Sequence, residues 1–364
     1  MTVPHARLGF CCKFIPEDGD AEVARRMNMM GLTMAYLARL GPAAAYDKLV
    51  SVVRHNIDAL RLQFEHVGSR PPLERLHRIM SSVLPGYTHP SCRDFYRDRD
   101  LATLIETGLA EAGALARRAD VRLSMHPGQF CVLATSSETA LRNGLDELAY
   151  HAEVMSLMGY GGGWHPHGAH VNIHGGAKAA GLDGFRRGLA RLSEDARNLV
   201  TVENDEVSYG LDDLLPLAHE LPIVLDLHHH WIASGGEYIE PDDPRIATIM
   251  DSWRGVRPVA HVSVSREDLL PAHAPDERPD FARLVAAGVK PKDLRGHSDL
   301  MWNEAVNALV AEHLAWADFE VEAKAKNLAS QGLARHVERH WARAARTRRV
   351  RETCGKAAAR DSVA

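Results

Sequence analysis

Residues 199–230 read Leu199-Val-Thr-Val-Glu203-Asn-Asp-Glu206, then Val-Ser-Tyr-Gly-Leu211-Asp-Asp-Leu-Leu-Pro-Leu-Ala-His219-Glu-Leu-Pro, then Ile223-Val-Leu-Asp226-Leu-His228-His229-His230. The two apolar runs, Leu199–Glu203 and Ile223–Leu227, lack the alternation of a strand with one wet face, so both faces of each are expected to be buried. An amphipathic stretch, Leu211–His219, joins them. Strand, helix and strand within about 30 residues is a βαβ unit. Each run also carries a carboxylate at its C-terminal end.

The same pattern extends in both directions. Further strand-like runs lie at Arg7–Lys13, Arg78–Val83, Val121–Met125, His170–His174, Val259–Val264 and Asp318–Glu322. Helical periodicity fills the spaces between, at Ala21–Arg39, Tyr46–His66, Leu101–Arg118, Ser137–Met158, Gly184–Arg197 and, more briefly, Asp243–Ser252. Eight strands alternating with helices predict an α/β fold of the (β/α)8 TIM-barrel class, with a doubly wound open sheet as the alternative. The segment Glu267–Arg295, with Pro271, Pro275, Pro279 and Pro291, is too long for an ordinary βα loop. It reads as an insertion, either over the active face or on the surface with its own helix at Phe281–Ala287. The expected organisation is one catalytic barrel over residues 1–330 and a basic helix and tail over 331–364.

The chain has 364 residues, 45% of them hydrophobic, and no apolar run of membrane-spanning length. The N-terminal residues carry no secretory pattern, so the expected location is cytoplasmic. The cysteines, Cys11, Cys12, Cys92, Cys131 and Cys354, match neither a disulfide framework nor zinc-ligand spacing. No phosphate-binding glycine loop or nucleophile elbow is present, so no nucleotide cofactor is expected. The net charge is −5, but residues from Gln331 onward carry +6, leaving −11 on the rest. The basic end, with Arg343, Arg346, Arg348, Arg349 and Arg351, reads as a solvated helix end or as an arm that attracts phosphate.

There are 21 histidines. Chemistry in a barrel of this class gathers at the C-terminal strand ends. At those ends stand His126-Pro-Gly-Gln129-Phe130, His174-Gly-Gly, Glu203-Asn-Asp-Glu206, Asp226-Leu-His228-His229, His261-Val-Ser263, His297-Ser-Asp299 and Glu322-Ala-Lys324. Imidazoles and carboxylates converging without thiolates suit a cluster of manganese, zinc or iron ions. Glu203, central in the list, is placed to bridge two of them. Asp226 and His229 share a site if the chain turns just after Leu227, with His228 and His230 facing elsewhere. His165, His167 and His170 read as structural, and His313, His336 and His340 as surface residues.

Taken together, Arg7-Leu-Gly-Phe10, Arg78-Ile-Met-Ser81-Ser82, His126-Pro-Gly-Gln129-Phe130, Glu203-Asn-Asp205, Leu225-Asp226-Leu-His-His229, Arg257-Pro-Val-Ala-His261-Val-Ser263, His297-Ser-Asp299 and Glu322-Ala-Lys324-Ala-Lys326 resemble the UV damage endonuclease family, TIM barrels related to endonuclease IV. The resemblance runs from about residue 7 to 330. It implies hydrolysis of the DNA backbone immediately 5′ of UV photoproducts and some other lesions. The implied cofactor is a cluster of up to three divalent ions, manganese foremost with magnesium and zinc as alternatives. The implied ligands are His126, His174, Glu203, Asp226, His229, His261, His297 and Glu322, with Glu203, Glu322 and His229 also catalytic. Gln129 and Phe130 resemble a pair that probes the base stack opposite the lesion, and Phe10 an aromatic residue that helps to hold distorted DNA. The implied partner is damaged double-stranded DNA, bound by a monomer.

The sequence departs from the family at Val259, two residues before His261, where Lys is frequent. Two other functions share the barrel and its metals: a sugar isomerase or epimerase, and a non-catalytic binder of damaged DNA.

Overall fold

The sheet has eight strands of only four or five residues, each paired in parallel with the next. They are β1 (Leu8–Cys11), β2 (Leu76–Ile79), β3 (Arg122–Met125), β4 (His170–His174), β5 (Val200–Glu203), β6 (Ile223–Asp226), β7 (Val259–Val262) and β8 (Asp318–Val321). β8 closes onto β1, with Leu8 opposite Phe319 and Phe10 opposite Val321, so the sheet is a closed barrel. The protein is described by a computed structural model covering residues 5–270 and 273–361, with side chains as far as residue 347. Pro271, Cys354, Arg348, Arg349 and Arg351, on which part of the sequence reading rests, lie outside the described residues or have side chains that do.

The helices are α1 (Ala21–Met27), α2 (Met34–Leu37), α3 (Pro42–Ser69), α4 (Arg93–Tyr96), α5 (Arg99–Arg118), α6 (Glu138–Leu157), α7 (Gly181–Leu189), α8 (Glu194–Leu199), α9 (Leu211–Leu214), α10 (Leu227–Ser234), α11 (Pro244–Ser252), α12 (Phe281–Ala286), α13 (Pro291–Leu294), α14 (Glu304–His313) and α15 (Asn327–Asp361). One apolar core fills the layer between strands and helices; Leu49, Phe64, Leu109, Phe185 and Phe319 are among its fully buried members. α5 comes close enough to the turn after α6 that a Cβ on Gly113 would lie 1.9 Å from the Met158 carbonyl oxygen, so glycine is required there. None of the described helices is long and apolar enough to cross a membrane.

Several boundaries differ from the sequence reading. Ala21–Arg39 is two helices, because Asn28 leaves the helical path and its side chain bonds Phe14 N–H and C=O at 2.8 Å each. Gly184–Arg197 also divides, at Ser193, which caps α8 through the Ala196 N–H. Leu211–His219 tightens at Pro216, which lacks the N–H an α-helix needs. β2 begins at Leu76 and ends at Ile79, and Ser81–Val83 is a turn. His313 is not on the surface. It is fully buried, with Nε2 2.8 Å from the Ile239 carbonyl and Nδ1 accepting from Trp316 Nε1 at 2.9 Å.

The insertion folds back on itself. Ser265 and His297 form an antiparallel bridge at its base. Leu270, Leu284 and Leu294 bury against Trp231 and Ile232 of α10, making a small second core. The segment is therefore an excursion with its own helix, α12, fastened to α10.

The inside of the barrel carries polar groups at several levels. At the N-terminal end Asp318 receives Arg122 at 2.8 Å and Arg257 at 2.7 Å. Above it Glu320 accepts from Ser124 Oγ and Arg78 Nε. On the opposite wall Thr201 Oγ donates to Asn172 at 2.9 Å, and Asn172 Nδ2 donates to Glu203. Buried polar side chains of this kind are tolerated because each makes at least one hydrogen bond or ion pair.

Candidate metal centre at the barrel mouth

The site begins with strand direction. β3 to β8 all run the same way, so their last residues share one rim, and every second side chain points inward. Glu203 ends β5 at its centre, fully buried. His126 Nε2 lies 3.1 Å from Glu203 Oε2. On the other oxygen, Oε1, stand Nδ1 of His261 at 3.0 Å and Nδ1 of His229 at 3.3 Å. His174 completes the wall, its ring 5.1 Å from that of His126 and 5.8 Å from that of His229.

Asp226 ends β6 and caps α10, its Oδ1 accepting the His229 N–H at 2.6 Å. This cap makes the turn after the strand and brings His229 back over the site, Nδ1 3.7 Å from Asp226 Oδ2. His228 turns away, with Nε2 3.1 Å from Ser265 Oγ, and His230 turns to Glu237 at 3.0 Å. Glu322 follows β8, 3.5 Å from His261 Nδ1. His297 sits at the edge, its Nδ1 3.9 Å from Glu322.

Three groups of ligand atoms each lie within 4.8 Å of one another: His126, His174 and Glu203; Glu203, His261 and Glu322; Glu203, Asp226 and His229. Glu203 belongs to all three. Seven of the eight expected ligands are thus brought together, and His297 is adjacent but outside the groups. The donor set fits divalent ions on a second ground. Asp226 Oδ2 is buried with no hydrogen-bond partner among the described residues, and Glu203 Oε1 has only the ring nitrogens of His261 and His229 beside it. A buried carboxylate oxygen without a donor is costly unless a cation completes it.

The electrostatics agree. Burial would raise the pKa of Glu203, yet His261 and His174 beside it hold the carboxyl well below its usual range, so it stays ionised. Burial wins at Asp226, whose pKa is raised. Burial opposes charge on His229 and His261, but Asp226 raises the first and Glu203 the second, His261 to about 10. Imidazoles that retain a proton so strongly beside carboxylates occupy places where a cation is favoured.

Some site residues escaped the sequence reading. Arg78, from β2, is buried beneath the rim and contacts Glu320, Glu322 and His261. Val259 is fully buried, and the cation that faces His261 comes from β2 instead of β7. Glu320 was missed although Asp318, Glu320 and Glu322 recur at every second residue, which puts three acids on one strand face. Glu206, 3.7 Å from His229 Nε2 and 3.8 Å from Arg295 Nε, was also missed.

Gln129 and Phe130 lie at the tip of a tight turn closed by Cys131 N–H to Gly128 O at 2.8 Å. Both are exposed, Phe130 to 84%. Phe10 is not at the mouth. It is 4% exposed, its ring 4.7 Å from His77, which in turn meets Phe64 of α3. The alternation of β1 turns Phe10 outward under α3, and Cys11 sits near the rim with Sγ 3.6 Å from the Val321 carbonyl. His165 and His170 are buried against Trp253, away from the site.

A family model described as UV-endonuclease UvdE matches residues 6–348. The UV DNA damage endonuclease of Bacillus velezensis is 30% identical over 255 residues, covering 67% of this chain and 74% of that protein. The UV-damage endonuclease of Neurospora crassa is 33% identical over 202 residues, and that of Schizosaccharomyces pombe 36% over 171. These matches cover 52% and 44% of this chain but only 30% and 28% of the fungal proteins' length. The crystal structure titled SacUVDE superposes with a TM-score of 0.70 at 20% identity, covering 92% of this chain and 99% of that one, a likeness of fold. With the family pattern matched from residue 6 to 348, the chain belongs to the UV-endonuclease UvdE family.

Proposed function

We propose that the protein is a DNA repair endonuclease that hydrolyses the phosphodiester bond 5′ of UV photoproducts, using divalent ions, manganese foremost, held at the barrel mouth. The observation that carries this reading is the meeting of three groups of candidate ligand atoms at the buried Glu203, with Asp226 Oδ2 buried and unpartnered among them. The relatives' names supply the substrate class.

His126 and His174, Asp226 and His229, and His261 and Glu322 would hold the ions, with Glu203 common to all and His297 at the edge. When bound, such ions activate water near neutral pH and neutralise charge on the phosphate in flight. Glu203, kept ionised, orients the attacking water and His229 fixes its neighbour Asp226. Gln129 and Phe130 supply the wedge. A photoproduct stacks poorly, so its extrusion costs less than that of an intact base, and an aromatic ring recovers roughly 1–3 kcal/mol of stacking. Residues 1–330 act as the catalytic unit, as a monomer.

The test is nicking of supercoiled plasmid with Mn²⁺. Irradiated plasmid should be relaxed and unirradiated plasmid spared, and chelation should abolish the effect. Equal nicking of both would overturn lesion specificity, and nicking after full chelation would overturn metal dependence.

A further inference from the structure

We propose that Glu320, held by Arg78 and Ser124, is the positioning residue for the ion of the Glu203, His261 and Glu322 group. The inference rests on the metal-dependent reading above and concerns how this chain builds one part of that site.

Arg78 Nη2 lies beside both nitrogens of His261, 3.3 Å from Nδ1 and 3.0 Å from Nε2, but the carboxylates divide between them. Nδ1 lies 3.0 Å from Glu203 and 3.5 Å from Glu322, the two other members of its group. Nδ1 is therefore the ligand atom, and Nε2 carries the hydrogen. Nε2 lies 3.3 Å from Glu320 Oε2 and 3.0 Å from Arg78 Nη2. A guanidinium has donors and no acceptor, so it cannot receive that hydrogen. Glu320 can. A ligating histidine commonly gives its second N–H to a carboxylate, which fixes both tautomer and ring orientation.

Glu320 is fully buried and is itself fixed on both oxygens, Oε1 by Ser124 Oγ and Oε2 by Arg78 Nε. The same guanidinium reaches Glu322 Oε1 through Nη1 at 2.5 Å. One cation thus secures the carboxylate below His261 and the carboxylate beside it. Neither the group on β3 and β4, His126 and His174, nor the group at α10, Asp226 and His229, touches Glu320. Its influence is confined to one ion of the cluster.

The full chain is titrated with Mn²⁺ by calorimetry, with bound metal counted after gel filtration, and the folding of each metal-free variant is checked by circular dichroism. Glu320→Gln should weaken one ion by about 10–100-fold and leave the others unchanged. The double variant Arg78→Leu/Glu320→Leu replaces a buried ion pair by apolar groups, a change that folds often tolerate. It should show the same selective loss, at least as large. Unchanged affinity for every ion in either folded variant, or an equal loss at all ions, overturns the inference and leaves the endonuclease reading intact. Failure of the wild-type chain to bind Mn²⁺ at all would overturn that reading and the inference together.

Discussion

Glu203 Oε1 stands 3.0 Å from Nδ1 of His261, though the two lie on strands β5 and β7 and β6 runs between them. Such an approach across a barrel requires both side chains to turn inward over the axis, and it makes Glu203 the point where three ligand groups meet. Glu203→Gln should keep the fold and lose metal at more than one position. Plasmid nicking should fall by more than about 100-fold, beyond what loss of an outlying partner costs. Metal analysis alongside the nicking assay checks both, and full metal content with full activity would exclude Glu203.

Phe130 is 84% exposed, so its removal costs the fold almost nothing. Phe130→Ala and Gln129→Ala should leave metal content and thermal midpoint unchanged. Each should weaken binding to irradiated duplex by roughly 1–3 kcal/mol, with little change for intact duplex. Competition binding with both duplexes reads the ratio, and equal losses on the two would refute the wedge.

Trp231 holds the excursion, its ring 5.3 Å from Phe281 in an edge contact. Trp231→Ala removes the centre of the small second core, a change that in buried positions costs about 3–5 kcal/mol. The loss should appear as local opening, because the main core is separate. Limited proteolysis should cut within residues 267–295 much faster than in the wild type while the barrel survives.

His151 is buried, with Nε2 2.9 Å from Ser81 Oγ and Nδ1 2.7 Å from the Glu147 carbonyl. Burial pushes its pKa down from 6.5 to about 4. The unfolded chain therefore binds more protons between these values, so this group's stability is present above pH 6.5 and is lost as pH falls through 4. The full loss is on the order of 3 kcal/mol. Measured against His151→Asn, the wild-type advantage in thermal midpoint should shrink from pH 7 to pH 4. A constant difference would show that His151 does not titrate in this way.

The barrel was legible because parallel strands buried on both faces leave unbroken apolar runs; seven of the eight runs contain their strand, and the eighth, Arg78–Val83, overlaps β2 only at Arg78 and Ile79. The convergence of Glu203, Asp226 and His261 was legible because strand direction puts them on one rim. Caps and turns decide what was not: Asn28 interrupts one expected helix and Ser193 another. Phe10 was misread because a motif identifies a residue but not the face it takes, and in β1 that face meets α3. Arg78 and Glu320 were passed over because a buried charge reads as a surface one until its partner, more than 200 positions away, is known.

The Ser265 to His297 bridge bears on how much length the chain can carry at this place. It ties the two ends of a long detour together and brings His297 beside Glu322. Doubling the length of such a detour costs only about 0.6 kcal/mol in closure entropy. The length of the stretch between the bridge residues is thus only weakly constrained by closure entropy, while Arg295, near its end, reaches Glu206 beside His229.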